Sequence, residues 1–393
     1  MRGERRIRPV ARKATKRKAA GRPKKDTAKL RNRFSLDFAA VRGAEPASMA
    51  ALADDAANPA LLRLQALAAR DAADVAAPVD PTRPNWTPMG PLAVPNGQTY
   101  GGARVLISGR VTSIAPHPTS GNTIYIGTSR GGIWRTDDAG VTWNPLGDDQ
   151  PSLAIGALSI AAGNPLVLYA GTGEGNLQLY STQYPLSSAP GVYLGVGVLR
   201  SADGGATWTH HAAALFANHS FYRIAVDRTN ADRAFAATSR GLCRTTDGVN
   251  WTALTGGGLP AIGSTVIACT DVVIDRSDAT GNTVFAAFYS GGIYKSTNAL
   301  AASPTFTALT TGLPAAAATG RVSLCQSPSS LAHKYALIGN SSDDFDGLYR
   351  TTNAAGTTWE LCTSSGTIAL YGAFTNDLAV DPTTPNVVYV SGV

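Results

Sequence analysis

From residue 110 onward the chain repeats itself, and this constrains the fold more than any other feature. The run RVTSIAPHPTSGNTIYIGTSRGGIWRTDDAGVTWNPL (110–146) returns as FYRIAVDRTNADRAFAATSRGLCRTTDGVNWTAL (221–254), with looser copies starting at Ile155, Asp271 and Arg321. A period of this length marks an array in which each unit buries its apolar face only against its neighbours. Within one unit, four short runs (TSIAP, TIYIGT, GIWRT and TWNPL in the first) alternate or cluster their apolar residues as strands do and are separated by turn formers. Four strands per repeat make one blade of a β-propeller.

A sharper pattern, Ser/Thr-x-Asp-x-Gly-x-Thr-Trp, sits between the third and fourth strands. It is complete at Thr136, Asp138, Gly140, Thr142, Trp143 and at Ser201, Asp203, Gly205, Thr207, Trp208. Thr245, Asp247, Gly248, Asn250, Trp251 form a copy one residue shorter, and Thr351, Asn353, Gly356, Thr358, Trp359 one that is longer, while Ser296 to Phe306 is a decayed version. The residue types fit a hairpin: the acid accepts backbone N–H groups, the glycine takes positive φ, and the tryptophan packs its ring between blades.

This pattern resembles the bacterial neuraminidase repeat, or Asp-box, over roughly residues 86–393. The resemblance implies a propeller of the sialidase, xyloglucanase-like or sortilin type, an extracellular or cell-surface setting, and a structural role for Asp138, Trp143, Asp203, Trp208, Asp247, Trp251, Asn353 and Trp359 on the face away from the ligand site. It does not imply one chemistry. The expected fold is all-β: five full four-stranded blades and part of a sixth, the latter represented by DLAVDPTTPNVVYVSGV. Asn85-Trp86-Thr87-Pro88 reads as a fourth strand that could help close the ring, and the missing strand leads to the expectation of a fragment of a longer chain.

Charge divides the chain. Of 34 basic and 27 acidic residues, 16 and 3 fall within residues 1–42, so that segment carries +13 and the remainder −6. A basic stretch without aromatic or large aliphatic residues predicts a disordered tail over 1–45, able to attract polyanions, nucleic acid included, without selecting one. An Ala-rich helical linker is expected over 46–84, entered at Asn58-Pro59 and ended by PVDPTRP, with the propeller over 85–393. No run approaches the roughly 18 apolar residues that span a bilayer, and no apolar stretch after Arg5-Arg6 makes an export signal.

Candidate function lies in the links between second and third strands, which should project opposite the Asp-boxes. The second blade carries the longest, after GTGEGN (171–176). Glu174, Asp343, Asp344 and Asp346 are the candidate acid/base carboxylates, and Arg130, Arg240, Tyr180, Tyr184, Tyr193 and Tyr289 the candidate ligand contacts. Carboxylates protonate a glycosidic oxygen or activate water, and tyrosine rings stack on sugars. A glycan- or protein-binding propeller is the leading expectation, a glycoside hydrolase the alternative. Where the xyloglucanase-like pattern carries an acid before Gly-Gly, this chain has Ser129, and the sialidase Arg-Ile-Pro is matched only by Arg223-Ile224-Ala225. No cofactor or metal is expected: Cys243, Cys269, Cys325 and Cys362 lack ligand spacing, His210, His211 and His219 read as packing or surface, and Asp148-Asp149 and Asp381-Pro382 lack a calcium-loop spacing.

Overall fold

A computed structural model of the chain describes residues 59–76, 94–97, 105–107, 109–175, 194–262, 265–342, 344–364 and 377–391. The basic tail, the segment around Trp86, Asp343, Tyr180, Tyr184 and Tyr193 lie outside the described residues.

The repeats form five antiparallel four-stranded sheets, each joined in sequence order. Blade 1 comprises Val111–Pro116, Ile124–Thr128, Ile133–Thr136 and Asn144–Pro145. Blade 2 comprises Ile155–Ile160, Leu168–Thr172, Val198–Ser201 and Thr209–His211, and blade 3 Phe221–Val226, Ala234–Thr238, Gly241–Thr245 and Trp251–Ala253. Blade 4 holds Cys269–Ile274, Val284–Phe288, Gly292–Ser296 and Thr307–Leu309, and blade 5 Thr319–Gln326, Lys334–Asn340, Phe345–Thr351 and Glu360–Ser364. Asp377–Val380 pairs with Val388–Ser391 as a sixth unit. The first strands of successive units touch one another from blade 1 to the sixth unit and line a common cavity, which makes them the inner edge of the ring.

The core is distributed over the seams. Five clusters of buried residues each straddle two successive units, for example Tyr125, Ile133 and Ala115 of blade 1 against Ile155, Leu168 and Leu199 of blade 2. The second strands supply the densest burial: Ala234–Thr238 and Val284–Phe288 are buried at every position. Such strands, covered on both faces, read as continuous apolar runs in the sequence. Their aromatic residue also reaches across the seam. The Tyr125 hydroxyl donates to Gly204 O at 3.0 Å, that of Tyr169 to Ala231 O at 2.8 Å, and that of Tyr335 to Pro385 O at 2.8 Å.

The Asp-box hairpins have a closed hydrogen-bond economy. Asp138 Oδ1 accepts from the Thr136 hydroxyl at 2.7 Å and from Thr142 N at 2.8 Å, and Oδ2 accepts from the Thr142 hydroxyl at 2.6 Å. Asp203 repeats this with Ser201 and Thr207 at 2.8, 2.9 and 2.6 Å. In the shorter copy Asn250 donates both its backbone and its amide N–H to Asp247, at 2.7 Å each. In the longer one Asn353 accepts from Ala355 N at 2.7 Å. Gly140 and Gly205 adopt φ of 95° and 90°, a region costly for any residue with a Cβ. The hydroxyl and amide donors favour the ionised acid and hold Asp138 and Asp203 down to about 2. Trp251 and Trp359 are buried within the clusters at the seams of blades 2–3 and 4–5, Trp208 is half-buried against the cluster of blades 1–2, and Trp143 is half-buried.

A second turn signature, Asp-x-Ser/Thr, follows the inner strands. Asp227, Asp275 and Asp381 each accept from both the backbone N–H and the hydroxyl of the residue two places on (Thr229, Ser277, Thr383) at 2.6–2.9 Å. These are Asx turns.

Helix α1 (Pro59–Ala76) lies along blade 1: Arg63 donates to Gln150 O at 3.0 Å and to Asp148 O, and Arg70 pairs with Asp149 at 2.8 Å. Among the described residues no helix is long and apolar enough to cross a membrane.

Candidate functional site

Two ends of the ring differ in what they carry. Asp-box hairpins and first turns share one end, tied by Ala139 N to Asn122 O, Gly204 N to Leu166 O and Ala299 N to Asn282 O. At the other end the link after each second strand is fastened to the start of its own inner strand. Ser129 N donates to Arg110 O, Gly173 N to Ala154 O, Ser239 N to Ser220 O, Tyr289 N to Ala268 O and Ser341 N to Ala318 O, all at 2.8–3.0 Å. The variable links and the entrances to the inner strands therefore rim the same mouth.

Between the inner strands runs an axial cavity of about 580 Å³, lined by residues from all five blades and the sixth unit. Its charged groups are Arg110, Glu174, Arg223, Asp271, Arg276, Arg321 and Asp377. A bulge near the start of the inner strands sets their register. Ser113, Ala157, Arg223 and Asp271 each follow it and face Gly127, Gly171, Ala237 and Ala287, while Ser323 and Asp377 precede Leu324 and Leu378 as Arg223 precedes Ile224.

The sequence candidates fall at different places. Glu174 lines the cavity near its mouth with its side chain fully buried. Arg110 donates to it twice, Nε to Oε1 at 3.0 Å and Nη2 to Oε2 at 2.6 Å, and the Ser129 hydroxyl donates to Oε2 at 2.6 Å. Both oxygens of Glu174 are thus engaged by blade 1. Asp344 is exposed beside Asn340, and its backbone N–H donates a local turn bond to Asn340 Oδ1 at 3.1 Å. Asp346 takes the Tyr349 hydroxyl at 2.8 Å. Neither lines the axial cavity with Glu174, and neither do the exposed Arg130 and Arg240 or the half-buried Tyr289.

Sequence reasoning gave no site role to Arg110, Asp271, Arg276, Arg321 or Asp377, and noted Arg223 only as an inner-strand residue in an imperfect match to the sialidase Arg-Ile-Pro. Asp271 is buried in the wall, where Oδ1 accepts from Val272 N and Oδ2 from Leu324 N, each at 2.7 Å, and Arg223 Nε stands 3.4 Å from Oδ1. Burial raises the Asp271 carboxyl, against the opposing effect of Arg223. Arg321 lies over the Tyr222 ring at 5.6 Å. The signal that could have found Arg223, Asp271 and Asp377 is the column of positions just before the apolar inner-strand residue (Ile224, Val272, Leu378), a column that Arg110, Arg276 and Arg321 stand outside.

Asp381 and Asp149 are committed to an Asx turn and to Arg70. Burial pushes His219 down to about 4 and raises the Cys243 thiol to about 12, as expected of packed neutral groups. The cysteines are free, with Cys362 exposed and Cys325 half-buried. Among the described residues no three His, Cys, Asp or Glu side chains converge as a metal set.

No family model matches the chain. Over 109 residues, 28% of this chain and 11% of the relative, it is 30% identical to a xyloglucanase of Hypocrea jecorina (strain QM6a). Among solved structures it is similar to the GH74 enzyme of Niastella koreensis, with a TM-score of 0.54 and 25% identity over 72% of this chain and 40% of that one. It is also similar to an ancestral GH74 enzyme, with a TM-score of 0.50 and 18% identity over 72% and 38%. The chain spans about two fifths of the length of these structures and a smaller part of the xyloglucanase. Repeats, sheet topology and structural likeness agree: the protein is an Asp-box β-propeller.

Proposed function

We propose that the propeller binds a glycan at the loop-bearing mouth of its axial cavity and does not hydrolyse it. The likeness to the Niastella koreensis GH74 enzyme supports a saccharide ligand. The observation that carries the non-hydrolytic reading is the clamp on Glu174. A general acid or base must present a free oxygen to the glycosidic bond or to water. Glu174 has both oxygens held by Arg110 and Ser129, and Asp271 has each oxygen held by a backbone N–H. Ser129 also stands where the xyloglucanase-like pattern places an acid.

The alternative, a glycoside hydrolase using Glu174 with Asp344 or Asp346, makes a different prediction. Incubation of the full chain with xyloglucan and with other plant and bacterial glycans should give saturable binding by calorimetry without release of reducing ends. Reducing-end release that disappears in Glu174→Gln would establish the hydrolase instead.

A further inference from the structure

Each unit meets the one before it with a rear face and the one after it with a front face, and the array ends on one of each. On the rear faces, the apolar inner-strand residues Leu158, Ile224, Val272, Leu324 and Leu378 pack into the five seam clusters and are 8% exposed or less. Their equivalent in blade 1, Ile114, is 63% exposed. Val111, whose counterparts Ile155, Phe221 and Cys269 are fully buried, is 44% exposed. On the front faces, the second-strand aromatic residue of blades 1 to 5 is at most 2% exposed beneath the following unit, whereas its equivalent in the sixth unit, Tyr389, is 60% exposed. The bonding partners match as well. Tyr169 and Tyr335 donate to Ala231 O and Pro385 O, each three places before the second strand of the next unit. The corresponding residue of blade 1 is Gly121, exposed and with open space where a Cβ would stand. The chain therefore carries both halves of a contact that it makes five times internally, and within one copy the two halves do not cover each other.

We propose that copies of this chain associate head to tail, the front face of the sixth unit in one copy docking on the rear face of blade 1 in the next as an additional inter-blade seam. The occupant follows from continuity with the internal seams: blade 1 holds the same residue types at the same strand positions as the rear faces that receive Tyr125, Tyr169 and Tyr335. In the docked pair the Tyr389 ring covers Ile114 and Val111, and its hydroxyl donates to Gly121 O. Removing these apolar side chains from water drives the contact, as it does between repeats that cannot bury their faces alone. Because two different faces meet, each dimer keeps one front and one rear face open, so association propagates or closes into a ring.

The test is sedimentation velocity of the full chain over a range of protein concentrations, in salt that screens the charges of residues 1–42. Species larger than the monomer should appear as concentration rises. Ile114→Asp and Tyr389→Asp each place a charge in the seam without a partner and should weaken association at least about tenfold. Both positions are exposed in the single copy, so the urea unfolding midpoints at low concentration should match the parent; Ile114→Ser and Tyr389→Ser read the same contact with a smaller perturbation. An equimolar mixture of Ile114→Asp and Tyr389→Asp retains one intact pair of faces and should form a one-to-one dimer and nothing larger. A chain that stays monomeric throughout would overturn the proposal. Dimers of Tyr389→Asp alone would replace it with a two-fold contact between rear faces, and association that ignores both substitutions and vanishes in higher salt would assign it to the charged residues 1–42 instead.

Discussion

Removing either member of the Arg110–Glu174 pair breaks the same contacts, yet the two substitutions should differ in cost. Glu174→Gln keeps the shape and one carbonyl acceptor for Arg110 or Ser129, and the stranded guanidinium, 46% exposed, rehydrates. Loss of the charge assistance should then cost about 1–2 kcal/mol. Arg110→Gln strands a carboxylate that is fully buried, with Ser129 as its remaining strong donor. Breaking a pair so that an uncompensated buried charge remains costs about 3–5 kcal/mol. The difference, roughly 2 kcal/mol, is about a thirtyfold change in the folded-to-unfolded ratio. Urea unfolding followed by tryptophan fluorescence resolves it, provided both variants keep the parental slope with denaturant. The double replacement Arg110→Met with Glu174→Leu should be more stable than Arg110→Met alone, because no charge is left in the wall. If Arg110→Gln proves no more costly than Glu174→Gln, the argument from burial asymmetry is wrong.

Acid should loosen the hairpins in a defined window. Asp138 and Asp203 titrate at about 2 in the fold, against about 3.9 for a free aspartate. Their contribution is complete above pH 4 and lost as pH falls toward 2, and Asp203→Asn should flatten the fall in unfolding midpoint over that range. His219, depressed to about 4 by burial, contributes fully above its unfolded value near 6.5, and that contribution drains as pH drops to 4. An NMR titration should find its imidazole still neutral at pH 5. Gly171→Ala would drive a methyl group into the Phe221 ring at the seam of blades 2 and 3 and should cost about 1–3 kcal/mol in urea unfolding. Cys362, exposed on the last strand of blade 5, should react with a thiol reagent in the native protein well before the buried Cys243 and Cys269, whose thiols burial holds up, and all four should react in denaturant.

The blades were legible because each is written locally. The apolar run of a second strand, the Asp-box and the Asx turn all lie within about one repeat, and the long link of blade 2 leaves Val198–Ser201 paired in its place as the third strand. The cavity was not legible, because its wall is assembled from six separate inner strands, one from each unit, whose starts lie roughly 45 to 65 positions apart in the sequence. Arg223 and Asp271 take matching positions opposite Ala237 and Ala287 only after the bulge in each of their strands has set its register. Glu174 illustrates the limit from the other side. Its loop position was readable, but its clamp comes from Arg110 and Ser129, 64 and 45 residues earlier, and no spacing rule connects them.

The seams are not all locked by the same device. Tyrosine hydroxyls cross from blades 1, 2 and 5 to the next unit, but the equivalent residues in blades 3 and 4 are Phe235 and Phe285. Arg244 reaches Ala299 O and Ala301 O instead, and the buried Lys334–Asp275 pair, with Gln326, joins blades 4 and 5. Near-identical modules therefore carry non-identical keys. A blade transplanted or duplicated out of turn would meet a neighbour lacking the matching carbonyl or acid, so the ring encodes the order of its own parts and resists the scrambling to which uniform repeats are open.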